Sequence, residues 1–424
     1  MLRIHDTRAG QVVPVQLGRL VRIYTCGPAG HRRAHVGDLR TYVLSDLVRR
    51  VLERRRARVL ACQNITDIGH LTGSGVDYAS GVDYADAFRA DATALNIRPP
   101  EHAPRASENV EPMVELIAKL VERGHAYAVP DGSVYFDVRT FPAYGELSGN
   151  RLEKLRPADW ALWKPGDGEL TWDSPWGRGF PGPHVECSAM SLRFLGPVVD
   201  LHLGGIDRRF PHHEDERAQS DAVTGHEVVR HWVHGEHLLF DGREMAESTG
   251  NVVLLSDVTA AGLDPLAVRM AFLEHRYRRQ LDLTWDTLRA AGRTLRRWRS
   301  RVAEWAESPS APMAAGHVER VESALGDDLD TPAALGVLRE LERDESVPPG
   351  AKLEAFLHVD QVLGLDLPID IGKEPTLPAG AGELLEARSR AQEARDWTEA
   401  ERLRDELAAL GVRVSDTPSG QTWT

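Results

Sequence analysis

The chain has 424 residues, 42% of them apolar and 27% charged, and 64 acidic against 51 basic side chains give a formal net charge of −13. That is the composition of a water-soluble protein with material for two or three domains, and its acidity excludes a broadly basic nucleic-acid surface. Three cysteines exclude a disulfide framework and lead us to expect a cytoplasmic location, the polar start 1–10 does not read as a signal peptide, and no apolar run reaches the length of a membrane span.

Leu20 to Thr25 is apolar and β-branched and is expected as a strand running into the turn Cys26-Gly27-Pro28-Ala29-Gly30. Leu39, Tyr42, Val43, Leu47, Val48, Val51 and Leu52 then recur at helical spacing, and residues 58–65 return as a strand. This is a βαβ unit, for which a right-handed crossover into a parallel sheet is expected. His35-Val36-Gly37-Asp38 stands where the helix starts, and free N–H groups there suit a phosphate. Two hexamers, Gly-Val-Asp-Tyr-Ala-Ser and Gly-Val-Asp-Tyr-Ala-Asp, fill 75–86; they read as a lengthened loop with no chemistry. Helices are expected over 85–95 and 107–124, and strands over 133–139 and 198–203, the last ending in Gly204-Gly205-Ile206-Asp207. Ligands bind at the carboxyl ends of such parallel strands. From 266 onward the pattern is helical (266–276, 285–305, 316–326, 331–344, 351–364). It is broken by Pro/Gly-rich stretches at 308–316 and 367–382. A helix or helix pair over 383–410, Gly411 as its C-cap and a polar extended tail complete the chain.

Two arginine-rich stretches stand on expected helices: Arg49, Arg50, Arg54, Arg55, Arg56 and Arg58, and Arg293, Arg296, Arg297, Arg299 and Arg301 around Trp298. They are the local patches an anionic partner would use. Solvated helix faces whose arginine stems cover apolar surface are the plainer reading.

Cys26, Cys187, and His212 with Glu216 form one candidate metal set. The step of four residues puts His212 and Glu216 on one face of a helix. Two thiolates, an imidazole and a carboxylate suffice for tetrahedral Zn²⁺, a metal soft enough to grip a substrate thiol. On spacing alone the bland alternative stands beside it: buried cysteines as small hydrophobes, and His212 satisfying a core hydrogen bond.

With these pieces in order the chain resembles the cysteinyl-tRNA synthetases, a family of class I aminoacyl-tRNA synthetases. The resemblance runs nearly end to end. It is carried by Tyr24-Thr25-Cys26-Gly27-Pro28, Ala34-His35-Val36-Gly37-Asp38, Asn64-Ile65-Thr66-Asp67-Ile68 and Tyr135-Phe136-Asp137-Val138-Arg139. Further on come His184-Val185-Glu186-Cys187-Ser188-Ala189-Met190, Phe210-Pro211-His212-His213-Glu214, Asp328-Leu329-Asp330-Thr331-Pro332, Arg395-Asp396-Trp397 and Asp416-Thr417-Pro418. It implies an α/β fold: a Rossmann-type parallel-sheet catalytic domain over 1–255 with a connective insertion at about 95–180. A helical stem over 256–310, a helical bundle over 311–366 and a small anticodon-recognition-like unit over 383–424 would follow. It implies one Zn²⁺ on Cys26, Cys187, His212 and Glu216, holding the thiolate of L-cysteine. His35, Gly37 and Asp38 would be the catalytic positions. Gly205, Asp207 and Glu247 would join His35 and Gly37 at ATP, which enters with Mg²⁺, Asp207 lying near the ribose. Cys26, Gly27, Thr66 and Asp67 would line the amino-acid pocket, and Trp397 and Trp423 could stack on tRNA bases. A metal–sulfur contact explains selectivity, since an ordinary pocket rejects serine only weakly.

Several positions depart from the family pattern. The signature Lys-Met-Ser-Lys-Ser aligns with Glu244-Met245-Ala246-Glu247-Ser248, so both lysines at the triphosphate are glutamates. One lost transition-state donor costs about 3–4 kcal/mol, and like charge adds to that. Asp38 stands where the family has Asn, with an N-cap as its plain role. Pro183 replaces a Trp of the cysteine pocket, Ala29 to Arg33 differ from the family's run, and Gly69-His70 replaces an acidic pair. The function expected is zinc-dependent recognition of L-cysteine, ATP-dependent adenylation and transfer to tRNA, weakened at the glutamates. The alternatives are a cysteine ligase for a small amine acceptor, as in the mycothiol pathway, and a non-catalytic cysteine- or tRNA-binding paralogue. No membrane partner is expected.

Overall fold

The computed structural model describes residues 2–16, 18–28, 32–68, 84–149, 159–245, 250–373, 377–378, 380–412, 414–417 and 420–423. Glu247, Gly69-His70 and all but the last three residues of the hexamer repeat lie outside them.

Strands β1 (Arg3–Asp6) and β2 (Gln11–Pro14) form an antiparallel hairpin. The expected βαβ unit follows as β3 (Leu20–Thr25), helix α1 (Val36–Arg54) and β4 (Arg58–Gln63), with β3 and β4 parallel neighbours. Helix α1 buries Val36, Leu39, Val43, Leu47 and Val51, one face at helical spacing. Helices α2 (Tyr84–Ala94) and α3 (Val110–Glu122) come next, the latter preceded by a separate tight turn at Ser107–Asn109. An antiparallel sheet follows, in the order β5 (Ala126–Ala128), β6 (Val134–Phe136), β7 (Trp160–Pro165) and β8 (Gly179–Pro181). The strand expected to reach residue 139 stops at Phe136. The Asp137 carboxylate accepts from the Arg139 N–H at 3.1 Å and turns the chain.

Helix α4 (Val185–Leu195), β9 (Val199–Gly205), α5 (Glu214–Thr224) and β10 (Val229–Gly235) return to the first sheet. Its order is β10-β9-β3-β4, all parallel. From β3 the chain builds first on one side, as β4, and later on the other, as β9. Such a switch leaves a crevice at the carboxyl ends of the two strands.

A small sheet of β11 (Leu238–Phe240), β12 (Arg243–Glu244) and β13 (Leu281–Leu283) interleaves with α6 (Leu255–Ala260) and α7 (Leu266–Leu273). Then come α8 (Trp285–Ala306), α9 (Ala315–Gly326), α10 (Thr331–Arg343) and α11 (Pro349–Leu363). Trp298 and Trp305 of α8 both meet the Phe356 ring edge-on. The last unit is a true helix pair, α12 (Ala381–Glu393) and α13 (Trp397–Ala409), ended by Gly411 at φ +84°. The tail expected to be merely extended folds on itself as the hairpin β14 (Val414–Thr417) and β15 (Gly420–Trp423). Trp423 packs on this unit's core, whereas Trp397 is 61% exposed. Among the described residues no helix is long and apolar enough to cross a membrane.

Most of the arginines singled out above are engaged within the chain. Arg49 pairs with Glu53 and Glu101, Arg54 with Glu322, Arg297 with Glu342, Arg299 with Asp264 and Arg301 with Glu304. These guanidinium groups are used within the chain, and Arg50 and Arg299 are buried, which the expected solvated face did not foresee. One pairing ties the sheet domain to the helical region. Asp46 of α1 accepts from Arg50 at 2.7 Å and from Arg269 of α7 at 2.6 Å, all three buried. Arg269 also donates to the carbonyls of Leu95, Asn96 and Leu363, so α1, α7 and the end of α11 meet at one guanidinium.

Breaking such a buried pair leaves uncompensated charge and costs about 3–5 kcal/mol. Asp46→Asn is expected to lower the urea midpoint accordingly. Burial by itself would raise the Asp46 carboxyl, but Arg269 and Arg50 hold it below its ordinary value. Its contribution is complete above the unfolded-state value of about 3.9 and is lost as pH falls through the lower folded value. The gap between wild type and variant should therefore close in acid and persist at neutral pH.

Candidate active site and metal centre

A cavity of about 260 Å³ opens at the switch point. Its wall is Cys26 just after β3, Gly204 and Gly205 at the end of β9, Asp207 beyond them, Gly235 at the end of β10 and Glu236 after it, and His35 and Gly37 at the start of α1, together with Glu244 and Met245. The expected sites His35, Gly37, Asp38, Gly205, Asp207 and Cys26 thus share one space.

His35 is the N-cap of α1. Its Nδ1 accepts from the Asp38 N–H at 3.1 Å, and the Asp38 carboxylate accepts in return from the His35 N–H at 3.0 Å. Asp38 is therefore the third helical residue of a capping box, not the N-cap itself. Arg32 adds two bonds to the same carboxylate, at 2.7 and 3.1 Å. With Nδ1 accepting, the proton of a neutral His35 sits on Nε2. Burial holds the imidazole below its ordinary pKa, so it is a neutral donor. At Gly37 a Cβ would lie 3.0 Å from the His35 ring and 3.3 Å from Met245 Cε.

The four expected metal ligands converge beside Cys26. Cys26 Sγ lies 3.7 Å from Cys187 Sγ, 3.6 Å from His212 Nε2 and 3.2 Å from Glu216 Oε1, and His212 Nε2 is 2.9 Å from Glu216 Oε1. Two sulfurs each 2.3 Å from a tetrahedral ion would stand about 3.8 Å apart. Cys187 and Glu216 are the third residues of α4 and α5, and His212 sits just before α5. Burial pushes the Cys26 thiol and the Glu216 carboxyl well above their ordinary values, and repulsion from Cys187 adds to both. A divalent cation reverses that balance, so the residues fit a thiophilic metal.

Spacing did not reveal a wall of histidines behind this set. His202 and His213 lie 3.5 and 3.3 Å from Cys26 Sγ, and with Cys26 and Glu216 they form a second group of donors close enough for one ion. His213 Nδ1 is 2.8 Å from His234 Nε2, whose other nitrogen meets Thr7 Oγ1 at 2.7 Å. Burial lowers His202 and His234 to about 3 and His213 well below its ordinary value, so these rings are neutral. The set with two sulfurs is the better match to a soft ion. Gly204 is needed here, because a Cβ would stand 2.3 Å from the His213 ring. Behind His212, its Nδ1 meets His184 Nδ1 at 2.6 Å, His184 Nε2 lies 3.3 Å from Asp215, and Asp215 accepts from the Tyr144 hydroxyl at 2.6 Å. A chain of this kind fixes the tautomer of a ligating histidine. His184 opens one quoted motif and Asp215 follows another, yet no spacing rule singles them out.

Three further expected residues, Gly27, Thr66 and Asp67, do not line this cavity. Gly27 lies under the site, where a Cβ would be 1.4 Å from the Asn64 carbonyl oxygen. Thr66 Oγ1 accepts from Asn64 Nδ2 at 3.0 Å. The Asp67 carboxylate accepts from the Ser107 N–H at 2.8 Å and from its hydroxyl at 2.7 Å. Neither Thr66 nor Asp67 is among the described residues lining the cavity. Glu247 lies outside the described residues.

Comparison with known proteins bears on this arrangement. Residues 12–293 match the model for the class I (C) tRNA synthetase catalytic domain, and residues 374–423 match the cysteinyl-tRNA ligase anticodon binding domain. The cysteine–tRNA ligase of Opitutus terrae is 41% identical over 433 residues, which cover 94% of this chain and 93% of the relative. That of a Thermus thermophilus strain is 39% identical over 478 residues, covering 100% and 99%. Among solved structures, a Mycobacterium tuberculosis methionyl-tRNA synthetase bound by methionyl-adenylate superposes with a TM-score of 0.58 at 16% identity, covering 81% of this chain and 92% of that one. A LeuRS–tRNA–LeuAMS complex from Agrobacterium radiobacter K84 gives 0.61 at 11% identity, covering 84% of each. These two share the Rossmann-type fold. The matched catalytic and anticodon-binding segments and the end-to-end identity to named relatives establish that the chain belongs to the cysteine–tRNA ligase family.

Proposed function

We propose that the protein activates L-cysteine with ATP as the adenylate and passes the cysteinyl group to tRNA. The convergence of Cys26, Cys187, His212 and Glu216 at one end of a nucleotide-sized crevice carries this reading. Those four residues would hold one Zn²⁺, which when bound supplies a soft contact that favours a thiolate over the serine hydroxyl. The Gly37 N–H and the neutral Nε2–H of His35 would bind the triphosphate of Mg²⁺–ATP, since the Val36 N–H already donates to the Val253 carbonyl and the Asp38 N–H to His35 Nδ1. Asp38 and Arg32 position that imidazole, and Gly37 leaves room for close approach. Asp207, exposed at the mouth, suits the ribose hydroxyls. A cysteine carboxylate oxygen attacks the α-phosphorus as pyrophosphate leaves. A tRNA hydroxyl then attacks the carbonyl and AMP leaves. Residues 1–255, with an insertion near 95–180, would do this chemistry, 256–310 would be the stem, and 311–366 with 383–424 would meet tRNA. The match to an anticodon-binding unit over 374–423 supports tRNA over a small amine as acceptor.

Elemental analysis of the purified chain is expected to find one zinc per molecule. In Cys187→Ser the metal stoichiometry and calorimetric binding of L-cysteine should fall together; a metal-free wild type that still binds cysteine would sink the zinc reading. Glu244 lines the cavity and places an anion near the phosphates. Restoring both lysines (Glu244→Lys with Glu247→Lys) should raise ATP–pyrophosphate exchange by about 10²-fold or more, and an unchanged rate would show that these glutamates are not the brake. Trp397→Ala is expected to raise the KM for tRNA about 10- to 100-fold, the worth of one stacked base. ATP–pyrophosphate exchange, which needs no tRNA, serves as the control.

A further inference from the structure

Three guanidinium groups reach the cavity: Arg32, Arg40 and Arg208. Arg40 is occupied by backbone, donating to the carbonyls of Glu236 at 2.7 Å, His237 at 2.9 Å and Arg279 at 2.7 Å. Arg32 is held by the Asp38 carboxylate. Arg208 differs from both, because among the described residues its guanidinium makes no hydrogen bond or ion pair. It is the last residue of the tight turn Ile206–Arg208 after β9, placed between the metal-ligand set and α1. The charged and titratable groups facing it are Cys26 and Cys187 from the ligand set, Glu216 from α5, His213 just before α5, Tyr42 from α1 and its own neighbour Asp207. A half-buried cation without a partner is costly, and a planar fork of donors matches a carboxylate or a phosphate in two bonds.

We propose that Arg208 is the carboxylate-binding residue of the amino-acid subsite, gripping the α-carboxylate of L-cysteine while the thiol faces the Cys26 end. This rests on the reading of the site as cysteine-activating. Only two carbons separate the thiol of cysteine from its carboxyl carbon, so a substrate anchored by sulfur beside Cys26 brings its carboxylate to the neighbouring wall. During activation one carboxylate oxygen forms a bond to the α-phosphorus while the bond from that phosphorus to the bridging oxygen breaks. Pyrophosphate leaves with the electron pair, and Arg208 gives up no proton. Its charge then stays on the carbonyl and α-phosphoryl oxygens of the adenylate, at a site that Glu244 also lines.

The test is calorimetry on the zinc-loaded full-length protein with L-cysteine and with cysteamine, the same thiol and amine without the carboxylate. The wild type should bind L-cysteine at least tenfold more tightly than cysteamine. Arg208→Leu should erase that preference while zinc per chain and cysteamine affinity stay at wild-type values, and Arg208→Lys should keep part of it. A preference that survives in Arg208→Leu overturns the assignment and leaves the cysteine-activating reading standing. So does a parallel fall of zinc content and cysteamine binding in both variants, which would make Arg208 a counter-charge to the ligand set instead. A wild type that binds neither thiol ends the broader reading and this assignment with it.

Discussion

Cys26, Cys187 and Glu216 lie packed together at the carboxyl edge of a parallel sheet, with almost no access to water. As bare acids they repel one another's ionised forms, and burial adds to the cost. Neutral histidines line the other side and offset none of it. Such a cluster is stable in a folded core when the groups stay protonated or when a divalent ion draws them together. The surrounding architecture supports the second arrangement. Gly204 opens space for the His213 ring, and a relay from Tyr144 through Asp215 and His184 orients His212.

The same sheet edge also builds the other end of the cavity. The order β10-β9-β3-β4 puts the end of β3 beside the end of β9, with the start of α1 above them. The candidate metal ligands and the start of α1 are therefore neighbours, although Cys26 and His212 are 186 residues apart. Elsewhere the protein spends its positive charge on its own carboxylates. Asp46 with Arg50 and Arg269 couples the sheet domain to the helices beyond residue 266, and most of the other arginines singled out in the sequence cap or bridge neighbouring elements. With a net charge of −13 and most of those guanidinium groups committed, an uncommitted one inside the cavity stands out.

Much of this was legible before any coordinates. Leu20–Thr25, α1 and β4 follow from β-branched runs and a 3.6-residue apolar period, because those patterns reflect local geometry. The long helix Trp285–Ala306 and the helices after it follow for the same reason. Misjudged features were those in which a side chain competes with the backbone or a partner comes from afar. Asp137 cut a strand short by turning the chain, Asp38 took the third helical position while His35 capped, and the polar tail gained a partner strand only by doubling back.

The sequence by itself determined the elements, the set Cys26, Cys187, His212 and Glu216 as candidate ligands and, through its ordered motifs, the family. Periodicity, turn chemistry and residue order are properties of the linear chain. Only the tertiary structure decided that the Asp67 carboxylate bonds to Ser107 while Thr66 bonds to Asn64, that His184, His202, His213 and His234 surround the candidate ligands, and that the Arg208 guanidinium has no hydrogen-bond or ion-pair partner among the described residues. Those facts depend on which side chains meet across a switch point between strands more than a hundred residues apart, and no local pattern encodes that meeting.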